Sequence, residues 1–152
     1  MTFEVVQIPL PWKMESGAPM PTLRSDGRDL GVSYWQAGSD DERRIVLRFR
    51  SCQQFIFGYP NDEALPGHPL YSFGLSYYGL YEVHGSDWAR RLTLQNQVSF
   101  PDTDLDRPSA LRHFIVTFHD ETLEALAIGV EGSLVEGKNH SKDDSKIEWT
   151  SF

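Results

Sequence analysis

The chain has 152 residues, of which 39% are hydrophobic and 12% aromatic, and its formal net charge is -8. A chain of this length fits one compact domain that buries roughly 68 to 70% of its unfolded surface, so it needs no disulfide or metal to fold. The negative charge opposes a general nucleic-acid binder, because phosphates reward clustered Lys and Arg, and the single cysteine, Cys52, excludes an internal disulfide.

Residues 1 to 25 show no basic region followed by a long apolar stretch, and Pro9, Pro11, Pro19 and Pro21 interrupt what apolarity there is. No run approaches the ~18 to 20 apolar residues that span a bilayer. The expectation is a soluble, cytoplasmic protein without membrane contact.

TFEVVQI (2 to 8) predicts a strand, and the Pro/Gly-rich stretch from Pro9 to about Gly27 predicts irregular chain. LGVSYWQ (30 to 36) predicts a second strand and AGSDDE a turn. In RRIVLRFRS (43 to 51), Ile45, Leu47 and Phe49 share one face, while Arg44, Val46, Arg48 and Arg50 share the other. That arginine face either binds an anion or an acidic partner, or meets carboxylates on neighbouring strands. QFIFG (54 to 58) continues or restarts the strand after a bulge near Cys52, whose thiol reads as inert.

From Gly58 to Gly74 three prolines and three glycines force a long irregular loop, a feature often tied to function. SYYGLYEVH (76 to 84) alternates as a strand. At GSDWARRLTLQNQ (85 to 97) the period becomes helical, with Ser86 as cap and Trp88, Leu92 and Gln95 on one side. Residues 99 to 110 read as loop. Within them DTDLD (102 to 106) imitates the start of a calcium loop but carries Arg107 where Gly is required and His113 where the bidentate Glu belongs.

RHFIVTFHDETLE (112 to 124) concentrates the polar chemistry. On a strand, Phe114, Val116 and Phe118 share one face, and His113, Ile115, Thr117 and His119 the other. The two histidines are then roughly 20 Å apart at ~3.3 Å per residue, too far to share one ion. A two-residue turn at Asp120 and Glu121 would pair His119 with Thr122, Thr117 with Glu124 and Ile115 with Leu126, drawing Glu124 toward His119. The rival is a helix over 120–130, because Leu123, Leu126, Ala127 and Val130 also match helical spacing. Residues 130 to 146 read as a polar, mobile connection, with 131–146 its mobile part, and IEWTSF as a last short strand.

Phosphate-binding, dinucleotide, nucleophile-elbow and zinc signatures are absent. A His beside a carboxylate is the minimum for proton transfer or part of a metal site. His119 and Glu124 are therefore the candidate catalytic pair. Asn61, Asp62, Glu63, His68, Tyr71 and Asp120 are candidate ligand-binding residues, provided the loop folds over the hairpin. No metal set is assigned, and the cofactor is unknown. The third reading makes these side chains structural, hydrogen-bonding the loop and closing its turn.

The blocks G-Y-P-N-D-E-A (58 to 64), H-P-L-Y (68 to 71), Y-E-V-x-x-S-x-W (81 to 88) and H-F-I-V-T-F-H-D-x-T-x-E (113 to 124) resemble a family of small uncharacterised bacterial proteins that share them in this order. The resemblance covers roughly residues 55 to 128. It singles out Asn61, Asp62, Glu63, His68, Tyr71, Trp88, His119, Asp120 and Glu124, and implies no particular activity or cofactor.

The fold expected is one mainly β domain, an antiparallel sandwich or curved sheet with one short helix near 86–97; the alternative is α+β with a second helix at 120–130. The function expected is a cytoplasmic bacterial binding or interaction module for a small polar ligand or a protein partner, immunity-like in size and acidity and compatible with homo-oligomers. The alternative is an enzyme, metal-dependent or not, with a His/carboxylate site at the end of the 112–128 hairpin.

Overall fold

The computed structural model describes residues 3–102, 111–137 and 147–152. The strands are β1 (Glu4–Ile8), β2 (Thr22–Ser25), β3 (Leu30–Trp35), β4 (Arg43–Arg50), β5 (Gln54–Gly58), β6 (Leu80–His84), β7 (Arg112–Thr117), β8 (Thr122–Ala127), β9 (Gly129–Glu136) and β10 (Thr150–Ser151). Among the described residues one α-helix, α1 (Asp87–Gln97), lies between β6 and β7, and short 3₁₀ turns occupy Leu65–Gly67 and Tyr71–Phe73. Two five-stranded antiparallel sheets result, ordered β1-β6-β7-β8-β5 and β10-β9-β4-β3-β2, and neither closes into a barrel.

The alternation in β4 explains how the sheets meet. Ile45, Leu47 and Phe49 are fully buried with Leu30, Val32 and Tyr34 of β3, against Phe114, Val116, Phe118, Leu123 and Ala125 of the first sheet. Rings bridge the layers edge-on, Tyr34 to Phe118 at 5.1 Å and at a tilt, Phe49 to Phe114 at 5.6 Å. Each such side chain contributes ~1.5 to 3 kcal/mol on burial, so this shared interior orients both sheets.

The opposite side of β4 resolves the arginine alternatives in favour of pairing within the protein. Arg48 and Arg50 both reach Glu131 on β9, and Arg50 lies 3.6 Å from Asp29. Arg44 is buried, donating to the Ser33 carbonyl at 2.6 Å and the Met20 carbonyl at 2.9 Å with Trp35 beneath it at 4.5 Å.

Several expectations need correction. The stretch from Pro9 to Gly27 is not wholly irregular, because it contains β2, paired with β3 from Thr22↔Ser33 to Ser25↔Leu30. Residues 130 to 136 are not a mobile connection: β9 pairs along all of β4, with Val130 buried and Glu131 meeting the arginines. Residues 138–146 and 103–110, including most of the calcium-like DTDLD, lie outside the described residues. β5 does not extend β4 within one sheet. The chain turns at Ser51 (φ 47) and crosses to the first sheet beside β8.

The helix alternative at 120–130 fails, since Thr122–Ala127 is strand β8 in a hairpin with β7. The turn falls one residue earlier than expected. Phe118 N–H donates to the Glu121 carbonyl at 2.9 Å, leaving His119 and Asp120 as the turn. The face assignment survives, but each β8 partner moves by two: Thr117 pairs with Thr122 and Ile115 with Glu124.

The outer face of the first sheet is not open to water. Leu65 and Leu75 from the long loop join Val5, Tyr81, Val83 and Ile115 in a second buried cluster. The loop thus forms a partial third layer, with its polar residues directly over β7 and β8.

Candidate functional site

The loop is tied to the hairpin end by its own backbone. Asp62 N–H donates to the His119 carbonyl at 2.9 Å, and the Thr122 hydroxyl donates to the Pro60 carbonyl at 2.9 Å. Asn61 turns the chain here, its side-chain oxygen accepting from Ala64 N–H at 3.0 Å. This brings Asp62 Oδ2 within 2.8 Å of His119 Nδ1, where it also accepts from the Tyr78 hydroxyl. The Tyr78 hydrogen bond is the main cause holding the Asp62 carboxyl below its ordinary range, and the same bond pushes the Tyr78 phenol up to about 12.

A second cluster lies deeper. Glu124 Oε2 is 3.0 Å from His68 Nε2, and Oε1 is 2.8 Å from His113 Nε2. The far ring nitrogen fixes the tautomer of His68, and the carboxylate fixes that of His113. His68 Nδ1 accepts Leu70 N–H at 3.0 Å, so Nε2 carries the proton. Glu124, ionised, can only accept, so in the neutral ring His113 Nε2 carries the proton and Nδ1 accepts the Ser86 hydroxyl at 2.8 Å, while Ser86 Oγ accepts Ala89 N–H as the cap of α1. Glu124 therefore accepts a proton-bearing nitrogen on each oxygen. Burial works to raise its carboxyl, but the His113 and His68 bonds outweigh burial and bring it down to about 2.

His68 and His113 are nearly enclosed, with side chains 7% and 6% exposed, whereas the His119 side chain is 42% exposed. The expected His119–Glu124 pair does not form: Glu124 takes His68 and His113, and His119 takes Asp62. The reason is the register. With the turn at His119 and Asp120, Glu124 sits opposite Ile115, diagonal to His113 on the same face.

The other expected residues divide. Glu63 is exposed, and Asp120, 74% exposed at its side chain, lies 3.8 Å from His119 Nε2. Tyr71 packs on the outer cluster with its ring edge toward Tyr77 at 6.3 Å. Trp88 sets its ring edge-on against His113 at 5.2 Å and donates to Gln54 Oε1. Sequence reasoning read Ser86 only as the cap of α1, set His113 aside in favour of His119, and missed Tyr78. An earlier turn would have exposed His113 as the diagonal neighbour of Glu124; for Tyr78 no sequence signal exists.

Chemically, the two clusters differ. The deeper one is closed, each imidazole nitrogen and both carboxylate oxygens being engaged. In the outer one Asp62 holds His119 by Nδ1 and leaves Nε2 toward the surface, an orientation that lets a neutral imidazole accept a proton or a hydrogen bond. Among the described residues no three His, Cys, Asp or Glu side chains are arranged to hold one metal ion. A separate cleft of about 520 Å³ lies on the outer face of the second sheet, lined by Thr22, Arg24, Asp26, Asp29, Arg48 and Trp149 among others. Its Asp29 and Arg48 are already committed to ion pairs.

No family model, no curated protein and no solved structure matches the chain.

Proposed function

We propose that the protein is a binding module of the bacterial cytoplasm that engages a protein partner through the long loop on the first sheet. One observation carries this reading: the loop spends Asn61, Asp62 and His68 on its own anchorage and leaves aromatic rings exposed. Tyr59, Phe73 and Tyr77 are 79%, 44% and 37% exposed. Rigid aromatic side chains on a fixed loop supply contact area at low entropic cost. The Asp62–His119 pair and Asp120 add polar groups beside them. An immunity-like role, in which a small acidic protein masks a basic partner, fits the net charge of -8.

The test is a co-purification from native cells with the wild-type chain and with Tyr59→Ala/Phe73→Ala. A partner retained by the first and lost by the second, at unchanged melting temperature, is the expected result. Equal recovery by both chains refutes the reading.

The orientation of His119 by Asp62 favours a second reading, an enzyme with His119 as a proton acceptor. It expects turnover of a screened substrate that His119→Gln abolishes while the fold persists. Small polar ligands at the same place would show as a thermal shift that His119→Gln removes.

A further inference from the structure

We propose that a second copy of this chain docks along the open edge of β5, the two β5 strands pairing antiparallel about a two-fold axis at Ile56. β5 is the last strand of its sheet, bonded to β8 on one side, and no strand among the described residues pairs with its other side. Phe55, Ile56 and Phe57 are 44%, 57% and 38% exposed. Successive side chains alternate between faces, so apolar surface is uncovered on both sides of a free backbone edge. Edge strands of proteins that stay monomeric are guarded by lysine, proline, charge or a bulge. The segment from Ser51 to Tyr59, SCQQFIFGY, has neither a charge nor a proline.

Charge and register together select a second copy as the occupant. At a net charge of -8, two copies repel wherever their carboxylates face one another, and the uncharged β5 segment lets them approach without that repulsion. Centring the register on Ile56 sets this residue opposite its own mate, Phe55 opposite Phe57 and Gln54 opposite Gly58. The symmetry repeats the aromatic cross-strand pair twice, which is the self-complementarity an isologous interface requires. One residue further, Tyr59, 79% exposed, comes opposite Gln53. Gln53 lines a cleft of about 480 Å³ together with Cys52, Gln54, Phe55 and Trp88, which offers room for the incoming ring. The first sheets of the two copies would join into one continuous sheet. This pairing stands on the edge of β5 and shares only Tyr59 with the loop-face reading; the position-56 variants leave the loop face unchanged.

Sedimentation of the full chain from ~1 to ~100 µM tests it, a range that brackets micromolar self-association. The expected result at the upper end is twice the 17.4 kDa chain mass. Ile56→Lys sets two like charges against each other at the axis and should weaken the dimer by ~100-fold or more, with unchanged far-UV circular dichroism. In the double variant Cys52→Ser/Ile56→Cys the sole thiol lies on the axis. Directly opposed residues are ~4.5 to 5.5 Å apart at Cα, within disulfide reach, so mild oxidation should give a covalent dimer. The cysteine variant decides the matter if the lysine variant does not fold. A monomer at the upper concentration, including one that binds an extended peptide of another protein there instead, overturns the proposal. So does a dimer that Ile56→Lys leaves intact, or the absence of cross-linking at position 56.

Discussion

Glu124→Gln keeps the shape of the side chain and removes the charge that two imidazoles address. Gln can accept from only one of them; a His68 ring that turned its tautomer would lose the bond from Leu70 N–H, and His113 meets the amide hydrogens only by turning its ring toward Ser86 Oγ as donor, so the variant loses the charge that both imidazoles address. Burial works to raise the Glu124 carboxyl, yet its His113 and His68 partners hold it at about 2 against an ordinary 4.5. That displacement corresponds to about 3 kcal/mol. Because the folded-state value lies below the unfolded one, the contribution is complete above pH ~4.5 and is lost as pH falls toward ~2. At pH 3 about 1 kcal/mol of it remains. Urea unfolding followed by tryptophan fluorescence at pH 7 and pH 3 measures both ends. The variant should be less stable by about 3 kcal/mol at pH 7 and by about 1 kcal/mol at pH 3. At neutral pH its melting temperature should be roughly 6 to 12 °C lower. A gap below about 1 kcal/mol at pH 7, or the same gap at both pH values, would refute the reasoning that the carboxylate anchors the loop.

Tyr78→Phe removes the main donor to Asp62, so the Asp62 carboxyl, followed by carbon NMR, should titrate at higher pH than in the wild type; an unchanged titration would show that the phenol does not hold it. Arg44→Leu removes the guanidinium that donates to the Ser33 and Met20 carbonyls and should cost ~1 to 3 kcal/mol in urea unfolding; a neutral effect would mean that water replaces the guanidinium. Burial pushes the Cys52 thiol up to about 11 from an ordinary 9.0, so its alkylation at pH 8 should be about 100-fold slower than that of an unstructured cysteine, and equal rates would contradict its burial. Gly74 adopts φ 120, and a Cβ there would stand 2.5 Å from the Val5 carbonyl oxygen. Gly74→Ala should therefore lower stability by at least about 2 kcal/mol, and a melting curve matching the wild type would disprove that contact.

What the sequence disclosed follows from how local each signal is. The alternation of Ile45, Leu47 and Phe49 in β4, the face shared by Phe114, Val116 and Phe118, and the Ser86 cap of α1 all depend on near neighbours and were legible. β2 and β9 were not, because their residues are short, polar or glycine-bearing, and become strands only by pairing with β3 and β4. Glu131 reads as solvent-facing until Arg48 and Arg50 stand beside it. The convergence of Asp62, His68, His119 and Glu124 entered the sequence reading only as a condition on the path of the loop, and the pairing did not enter it. A one-residue displacement of the turn moves each cross-strand partner by two and exchanges His119 for His113 beside Glu124. Tyr78 reaches Asp62 from another segment, a relation that no local pattern encodes.

The hydrogen bonds through Glu124 run from Leu70 N–H through His68 to the carboxylate, and from Ala89 N–H through Ser86 and His113 to the same group. An imidazole, a carboxylate and a second imidazole in series have the outward form of a proton wire. Here the two arms point inward, each starting at a backbone amide that cannot give up its hydrogen, and both ending on one sink. On the His68 arm no proton can travel without leaving two donors, Leu70 N–H and a protonated Nδ1, face to face. The arrangement is an insulator, and it fastens the cap of α1 and the long loop to the same oxygen pair.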